Sequence, residues 1–259
     1  MQSDESFPAE PGQLLSHYRL VEKIGEGGMG VVWKAVDTTL DREVAIKILT
    51  ARIEEHPERV AMFASEAKAV ASLNHPNIVT IHTIQEAGRR HFISMELLRG
   101  KTLDALIPAD GLPPDALFEW AVPMADAICA AHEQGVTHGD LKPSNVMVTG
   151  EGRVKILDFG LARFRKEPSH EEPSEVTTEP LTVEGSLAGT LAYMSPEQVQ
   201  RKSPGSGSDI FTLGIILYEM ATGRRPFSGN STAELVASIL KDAQAPPSQY
   251  RPELPRHFD

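Results

Sequence analysis

Between positions 138 and 145 the chain reads His138-Gly139-Asp140-Leu141-Lys142-Pro143-Ser144-Asn145, and Asp158-Phe159-Gly160 follows across a short hairpin pattern. Two carboxylates and an amide carbonyl are hard oxygen ligands, suited to placing Mg²⁺ between phosphate oxygens. Phosphoryl transfer needs such an arrangement. Its charge spreads over the moving group, so catalysis rests on positioning, on cations and on one base that orients the attacking hydroxyl. Alone, Asp158-Phe159-Gly160 reads as a β-turn; the ordered set points to chemistry. Upstream, Gly25-Glu26-Gly27-Gly28-Met29-Gly30 has the G-x-G-x-x-G spacing that lets a backbone lie against phosphates without Cβ interference. That spacing by itself also suits a glycine-rich turn with no ligand. A dinucleotide-binding fold would open a helix at the third glycine, whereas Val31, Val32 and Trp33 continue as β-rich sequence, so the hairpin reading wins. In Val44-Ala45-Ile46-Lys47 a lysine extends an apolar strand, and a buried ammonium needs a partner. Glu66, on the apolar side of a helical pattern, is the natural counter-charge. Either residue alone reads as a solvated surface charge; together, behind a glycine hairpin, they suggest a clamp on two ATP phosphates.

The elements that must position these residues follow from pattern. Residues 1–16 mix proline, acid and serine without period and read as a disordered leader. Two β-rich runs, 18–36 and 43–49, flank a turn-like stretch and predict a small antiparallel sheet. Phe63, Ala67, Val70 and Leu73 recur on one face of a helix over 57–73. A strand over 91–98 precedes Gly100 and a polar connection that suits a hinge, which divides the chain into 17–98 and 99–259. A second helix spans 115–133, closed by Gly135. The runs 146–149 and 153–157 make a hairpin, and 162–187 is long, irregular and rich in Glu, Pro, Ser and Thr. Residues 210–221 are apolar nearly all round and mark a buried helix ended by Gly223. Ser231 and Glu234 make a capping box for a last helix to about Lys241.

Composition bounds the rest. The 259 residues, 41% apolar, suffice for a substantial core in one domain or two packed lobes. A net charge of -11 gives no basic stripe for a nucleic-acid backbone, so nucleic acid is not expected as the main ligand. The single cysteine, Cys129, cannot form an internal disulfide, lies in a helical pattern as an expected buried thiol, and fits a reducing cytoplasm. No apolar run is long enough for a membrane span, and the polar, acidic start is unlike a signal peptide. Any membrane tether of a longer parent would lie outside this chain.

Taken together, these motifs resemble Hanks-type serine/threonine protein kinases, especially the bacterial branch, over about residues 18–241. The resemblance implies an α+β, two-lobed fold, with a small antiparallel sheet and one helix in the first lobe and a mainly helical second lobe. It implies transfer of the ATP γ-phosphoryl group to Ser or Thr hydroxyls of proteins, with Mg²⁺, or Mn²⁺ in its place. By position, Gly25, Gly27 and Gly30 would cover the phosphates and Lys47, held by Glu66, would bind them. Asp140 would be the base, Lys142 would steady the transferred phosphate, Asn145 and Asp158 would hold the metal, and Thr190 would help orient Asp140. Adenine would lie between Val32, Ala45 and Met147, with Met95 just before the hinge and Glu96 to Leu98 offering backbone hydrogen bonds. Val70, His138 and Phe159 match part of an apolar stack, and Asp209 matches an acid that anchors the catalytic loop, although an N-cap is also open to it. Lys47, Asp140, Asn145 and Asp158 are expected to share one magnesium nucleotide.

Departures from that pattern carry expectations of their own. Gly139 stands where family members usually have an arginine that grips a phosphorylated threonine, so phosphorylation is not expected to switch activity through that contact. The activation segment, 158–197, carries Thr177, Thr178, Thr182 and Ser186 among acids and resembles an autophosphorylated mobile loop; an acidic disordered insert is the other reading. Ser195-Pro196-Glu197 stands in for Ala-Pro-Glu, whose glutamate pairs with an arginine of a late helix. The chain ends at Asp259 before such helices, so truncation is expected to leave Glu197 without its partner, expose apolar surface of the buried helix and lower stability. A nucleotide-binding pseudokinase or docking module without transfer activity is the alternative function.

Overall fold

A computed structural model describes residues 9–159 and 186–255. They form two compact units: one comprises the residues up to Asn74 with Ile78–Arg99, the other His75–Asn77 with the chain from Gly100 onward.

The first unit is built on an antiparallel sheet of strands β1 (Leu14–Leu15), β2 (Tyr18–Gly27), β3 (Gly30–Asp37) and β4 (Arg42–Leu49), followed by helices α1 (Ala51–Glu54) and α2 (Pro57–Ala71) and strands β5 (Ile81–Ala87) and β6 (Arg90–Glu96). Strand order is β1-β2-β3-β4-β6-β5. Val44, Ala45, Ile46, Lys47, Ile48 and Leu49 are buried in succession, the mark of a strand covered on both faces. Tyr18, Leu20, Trp33, Ala35, Val44, Ile46 and Phe92 form the core, with the Tyr18 ring edge-on to Phe92. β2 and β3 close over Gly27 and Gly30, and a Cβ on Gly30 would lie 2.3 Å from the Ile48 carbonyl oxygen, so the strand crossing admits no side chain there.

Two expectations need correction. The leader does not extend to residue 16: Leu14 and Leu15 pair with β2, the Gly12 N–H donates to the Leu20 carbonyl, and Leu15 is buried. A two-residue strand is too short to register as periodicity. β6 ends at Glu96 rather than continuing to Leu98, and β5, half-buried along almost its whole length, carries no clean alternation to reveal it.

The second unit contains a three-stranded sheet, β7 (Gly100–Thr102), β8 (Val146–Thr149) and β9 (Val154–Ile156), with helices α3 (Pro114–Glu133), α4 (Ser186–Leu191), α5 (Pro196–Val199), α6 (Ser206–Thr222) and α7 (Thr232–Lys241). α3 buries Leu117, Ala121, Met124, Ala127, Ile128 and Ala131 on one stripe and packs on α6. Cys129 falls on the opposite face and is exposed, not buried as expected; the helical period, not the residue's apolar character, decides its side.

α6 is buried through Thr212, Leu213, Ile215, Ile216, Met220 and Ala221, while Ile210 is 57% exposed and Phe211 and Leu217 are half-buried. Gly223 ends the helix at φ +69°, and its N–H donates to the Glu219 carbonyl. Arg251 secures that end. Its Nη1 donates to the carbonyls of Asp110 (2.6 Å), Ala221 (3.1 Å) and Leu112 (3.4 Å). At α7 the Ser231 hydroxyl accepts from the Glu234 N–H, while the Glu234 carboxylate accepts from Asn230 rather than Ser231.

Candidate active site

The loop from His138 to Asn145 is fixed mainly from α6. Asp209, 1% exposed, lies in the first turn of that helix and is not its N-cap. Its Oδ2 accepts from the His138 N–H at 2.8 Å and its Oδ1 from the Gly139 N–H at 2.7 Å, with His132 Nε2 a further 2.8 Å from Oδ2. Gly139 takes φ +71°, a left-handed conformation that glycine adopts without the Cβ penalty. His138 Nδ1 accepts from the Asp140 N–H (3.2 Å) and Nε2–H donates to the Leu157 carbonyl (2.8 Å), so the ring must be neutral with its proton on Nε2. Burial holds its pKa below the usual histidine value, against the pull of Asp209 and Asp140.

Around Asp140 the structure gathers three of the predicted residues. Lys142 Nζ lies 2.9 Å from Asp140 Oδ2 and 3.4 Å from the buried Thr190 hydroxyl. Asn145 Nδ2 donates to the Asp140 carbonyl at 2.8 Å, which turns its Oδ1 away from that bond, and the Leu157 N–H donates to the Asn145 carbonyl at 2.8 Å. Asp158, half-buried at φ +56°, thus follows directly on a residue tied to Asn145. The Phe159 ring is buried against His138 at 4.8 Å between centroids. Among the described residues no group of three or more His, Cys, Asp or Glu could hold a metal. One amide oxygen and one carboxylate fit the way Mg²⁺ is usually held, by few protein oxygens together with phosphates.

The remaining candidates lie almost all in the first unit. Gly25 pairs with Val32, Gly27 with Gly30, Val32 with Lys47, Ala45 with Met95 and Lys47 with Ile93, which sets them on adjoining strands of one sheet. Lys47 is 6% exposed and Glu66 is half-buried on α2. The Glu96 N–H donates to the Thr80 carbonyl and its carboxylate accepts from the Thr80 N–H, so that amide is already used. Met95 and Leu98 are half-buried. Met147 lies in β8 of the second unit, opposite Thr102 and Lys155.

The Ser208 hydroxyl of α6 donates to the Glu197 carboxylate and holds it below the usual range, a contact different in kind from the arginine pairing that the resemblance implies. The sequence reading also passed over Gln198. Ser195 and Gln198 make a capping box at the start of α5, a pattern visible as S-x-x-Q, and Gln198 Nε2 also donates to the Gly139 carbonyl at 2.6 Å, a contact no local pattern announces. Gly160, Thr177, Thr178 and Thr182 lie outside the described residues; Ser186 begins α4.

A family model for the protein kinase domain matches residues 18–257. The chain belongs to the protein kinase domain family. A probable serine/threonine-protein kinase of Clostridium acetobutylicum is 36% identical over 94% of this chain and 36% of its own length. Serine/threonine-protein kinase PknA of Mycobacterium tuberculosis is 35% identical over 93% of this chain and 54% of its own length, and PknL of the same organism 36% identical over 92% and 57%. The chain therefore spans between about a third and somewhat over half of these relatives. Two crystal structures of M. tuberculosis PknI kinase-domain variants superpose with TM-scores of 0.68 and 0.69 at 21% and 22% identity, covering 96% and 95% of this chain and 86% of theirs, so the kinase domain is α+β with the protein-kinase fold. Membership implies use of ATP and a divalent metal in general terms. No described helix is long and apolar enough to cross a membrane.

Proposed function

We propose that this kinase domain transfers the γ-phosphoryl group of ATP to serine or threonine hydroxyls of proteins. The observation that carries the reading is the cluster at Asp140: a carboxylate beside an ammonium that also reaches the Thr190 hydroxyl, in a loop anchored by Asp209. The names of its relatives support the same class.

In the proposed step the substrate hydroxyl oxygen attacks the γ-phosphorus, the bond to the β–γ bridging oxygen breaks, ADP leaves, and the hydroxyl proton passes to Asp140. Asp140 orients the hydroxyl; Lys142 offsets charge on the moving group and keeps Asp140 in place. Thr190, within reach of Lys142, is assigned on the family resemblance to orienting Asp140 toward a hydroxyl acceptor. Asn145 Oδ1 and the Asp158 carboxylate would hold Mg²⁺, which when bound neutralises phosphate charge. Gly25, Gly27, Gly30 and Lys47 are assigned to the phosphates, Glu66 to Lys47, and Val32, Ala45, Met95, Glu96, Leu98 and Met147 to adenine, all on the family resemblance. Thr177, Thr178, Thr182 and Ser186 are the proposed autophosphorylation sites, and a reducing cytoplasm the proposed location.

Transfer of labelled phosphate to a generic basic protein tests the reading. Asp140→Asn should lower kcat by about 10²–10⁴ while nucleotide binding persists. Nucleotide binding by the wild type without any transfer would mark a binding module and defeat the proposal.

A further inference from the structure

The peptide group joining Gly139 to Asp140 is held at both ends. Its N–H, on Asp140, donates to His138 Nδ1 at 3.2 Å, and its carbonyl, on Gly139, accepts from Gln198 Nε2 at 2.6 Å. The next peptide is held through the Asp140 carbonyl by Asn145. His138 and Asn145 belong to the same loop, whereas Gln198 comes from α5, so it is the donor that refers the peptide before the base to a separate element.

Chemistry fixes which way the Gln198 amide faces. Its Oε1 lies 2.9 Å from the Ser195 backbone nitrogen and 3.0 Å from the Ser195 hydroxyl. The Ser195 N–H can only donate and the Gly139 carbonyl can only accept, so the oxygen must face Ser195 and the nitrogen Gly139. Ser195 is fully buried, which anchors the acceptor end. Gly139 has no side chain with which to brace the loop by other means, and its own N–H is committed to Asp209.

We propose that Gln198 is a positioning residue for Asp140: it clamps the Gly139–Asp140 peptide from α5 and so sets the direction of the base. The proposal rests on the kinase reading. Misplacement of a reacting group by about 1 Å can cost on the order of 10²-fold in rate, so one hydrogen bond at this peptide has leverage on kcat.

Gln198→Glu separates this role from helix capping. The glutamate keeps an oxygen for Ser195, so the cap survives, but presents a second oxygen to the Gly139 carbonyl. kcat is expected to fall about 10-fold or more with the KM for ATP and the Tm essentially kept. Protonating the new carboxyl restores a donor, so the ratio of variant to wild-type kcat should rise as pH falls toward 5, while the neighbouring Asp140, Asp209, Glu197, Lys142 and His138 are common to both proteins and cancel in the ratio. An unchanged kcat, a loss of kcat matched by a comparable loss of Tm, or a ratio flat with pH would overturn the proposal. Absence of transfer by the wild type would instead sink the kinase reading. In that case amide exchange at Asp140 decides the point: faster in Gln198→Glu if the clamp is real, unchanged if it is not.

Discussion

His138 is buried completely, yet both its ring nitrogens are engaged, one accepting from the Asp140 N–H and one donating to the Leu157 carbonyl. A proton on Nδ1 would face a donor, and burial already disfavours the charged ring. Since the folded-state pKa is depressed, the unfolded chain binds the proton first. Stability from this residue is therefore intact above the unfolded value of about 6.5 and is lost as pH falls below it, by up to about 1.4 kcal/mol per pH unit. Thermal melts of the wild type between pH 8 and 5 should show this decline, and His138→Gln, which does not titrate, should flatten it; parallel profiles would exclude His138 as the source. At this scale Asp140, Lys142 and Asn145 are readable from sequence, because one short loop fixes their spacing. Gln198 is not, since its contact with Gly139 joins residues 59 positions apart.

At the scale of elements, the β2–β3 turn separates ligand roles from folding roles among its glycines. A Cβ at Gly27 would meet nothing within 4 Å, and one at Gly25 would touch Val32 at an ordinary 3.7 Å, but one at Gly30 would strike the Ile48 carbonyl. Gly27→Ala should leave the Tm nearly unchanged while raising the KM for ATP. Gly30→Ala should destabilise by about 1–3 kcal/mol, the usual cost of forcing extra volume into a packed site. Equal Tm losses in the two variants would refute the distinction. The strands that carry this turn are legible because β3 and β4 are long and apolar. β1 escapes notice because two residues make no pattern, and the exposure of Cys129 requires the phase of α3 rather than its composition.

Over the whole molecule, sequence motifs name the chemistry of each unit: the glycine turn and Lys47 in the first, the Asp140 loop in the second. What they leave out is long-range wiring. Asp209 reaches back to His138 and Gly139 across 71 and 70 positions, and Arg251 reaches back 141 positions to Asp110. Neither separation leaves a trace in local periodicity.

The guanidinium of Arg251 also sets an order in time. Ribosomes make the chain from its amino end, so the carbonyls of Asp110, Leu112 and Ala221 emerge before the donor that joins them. Until then the carboxyl end of α6 and the turn before α3 lack their common clasp, and the nascent polypeptide holds that corner unlatched until Arg251 has left the ribosome. Stalled nascent chains that expose residue 246 but not Arg251 should be cut by protease near 108–112 faster than chains that expose residues 1–259, and Arg251→Ala should make the longer chain behave like the shorter one. Equal cleavage in all three would show that the corner closes without its late-arriving arginine.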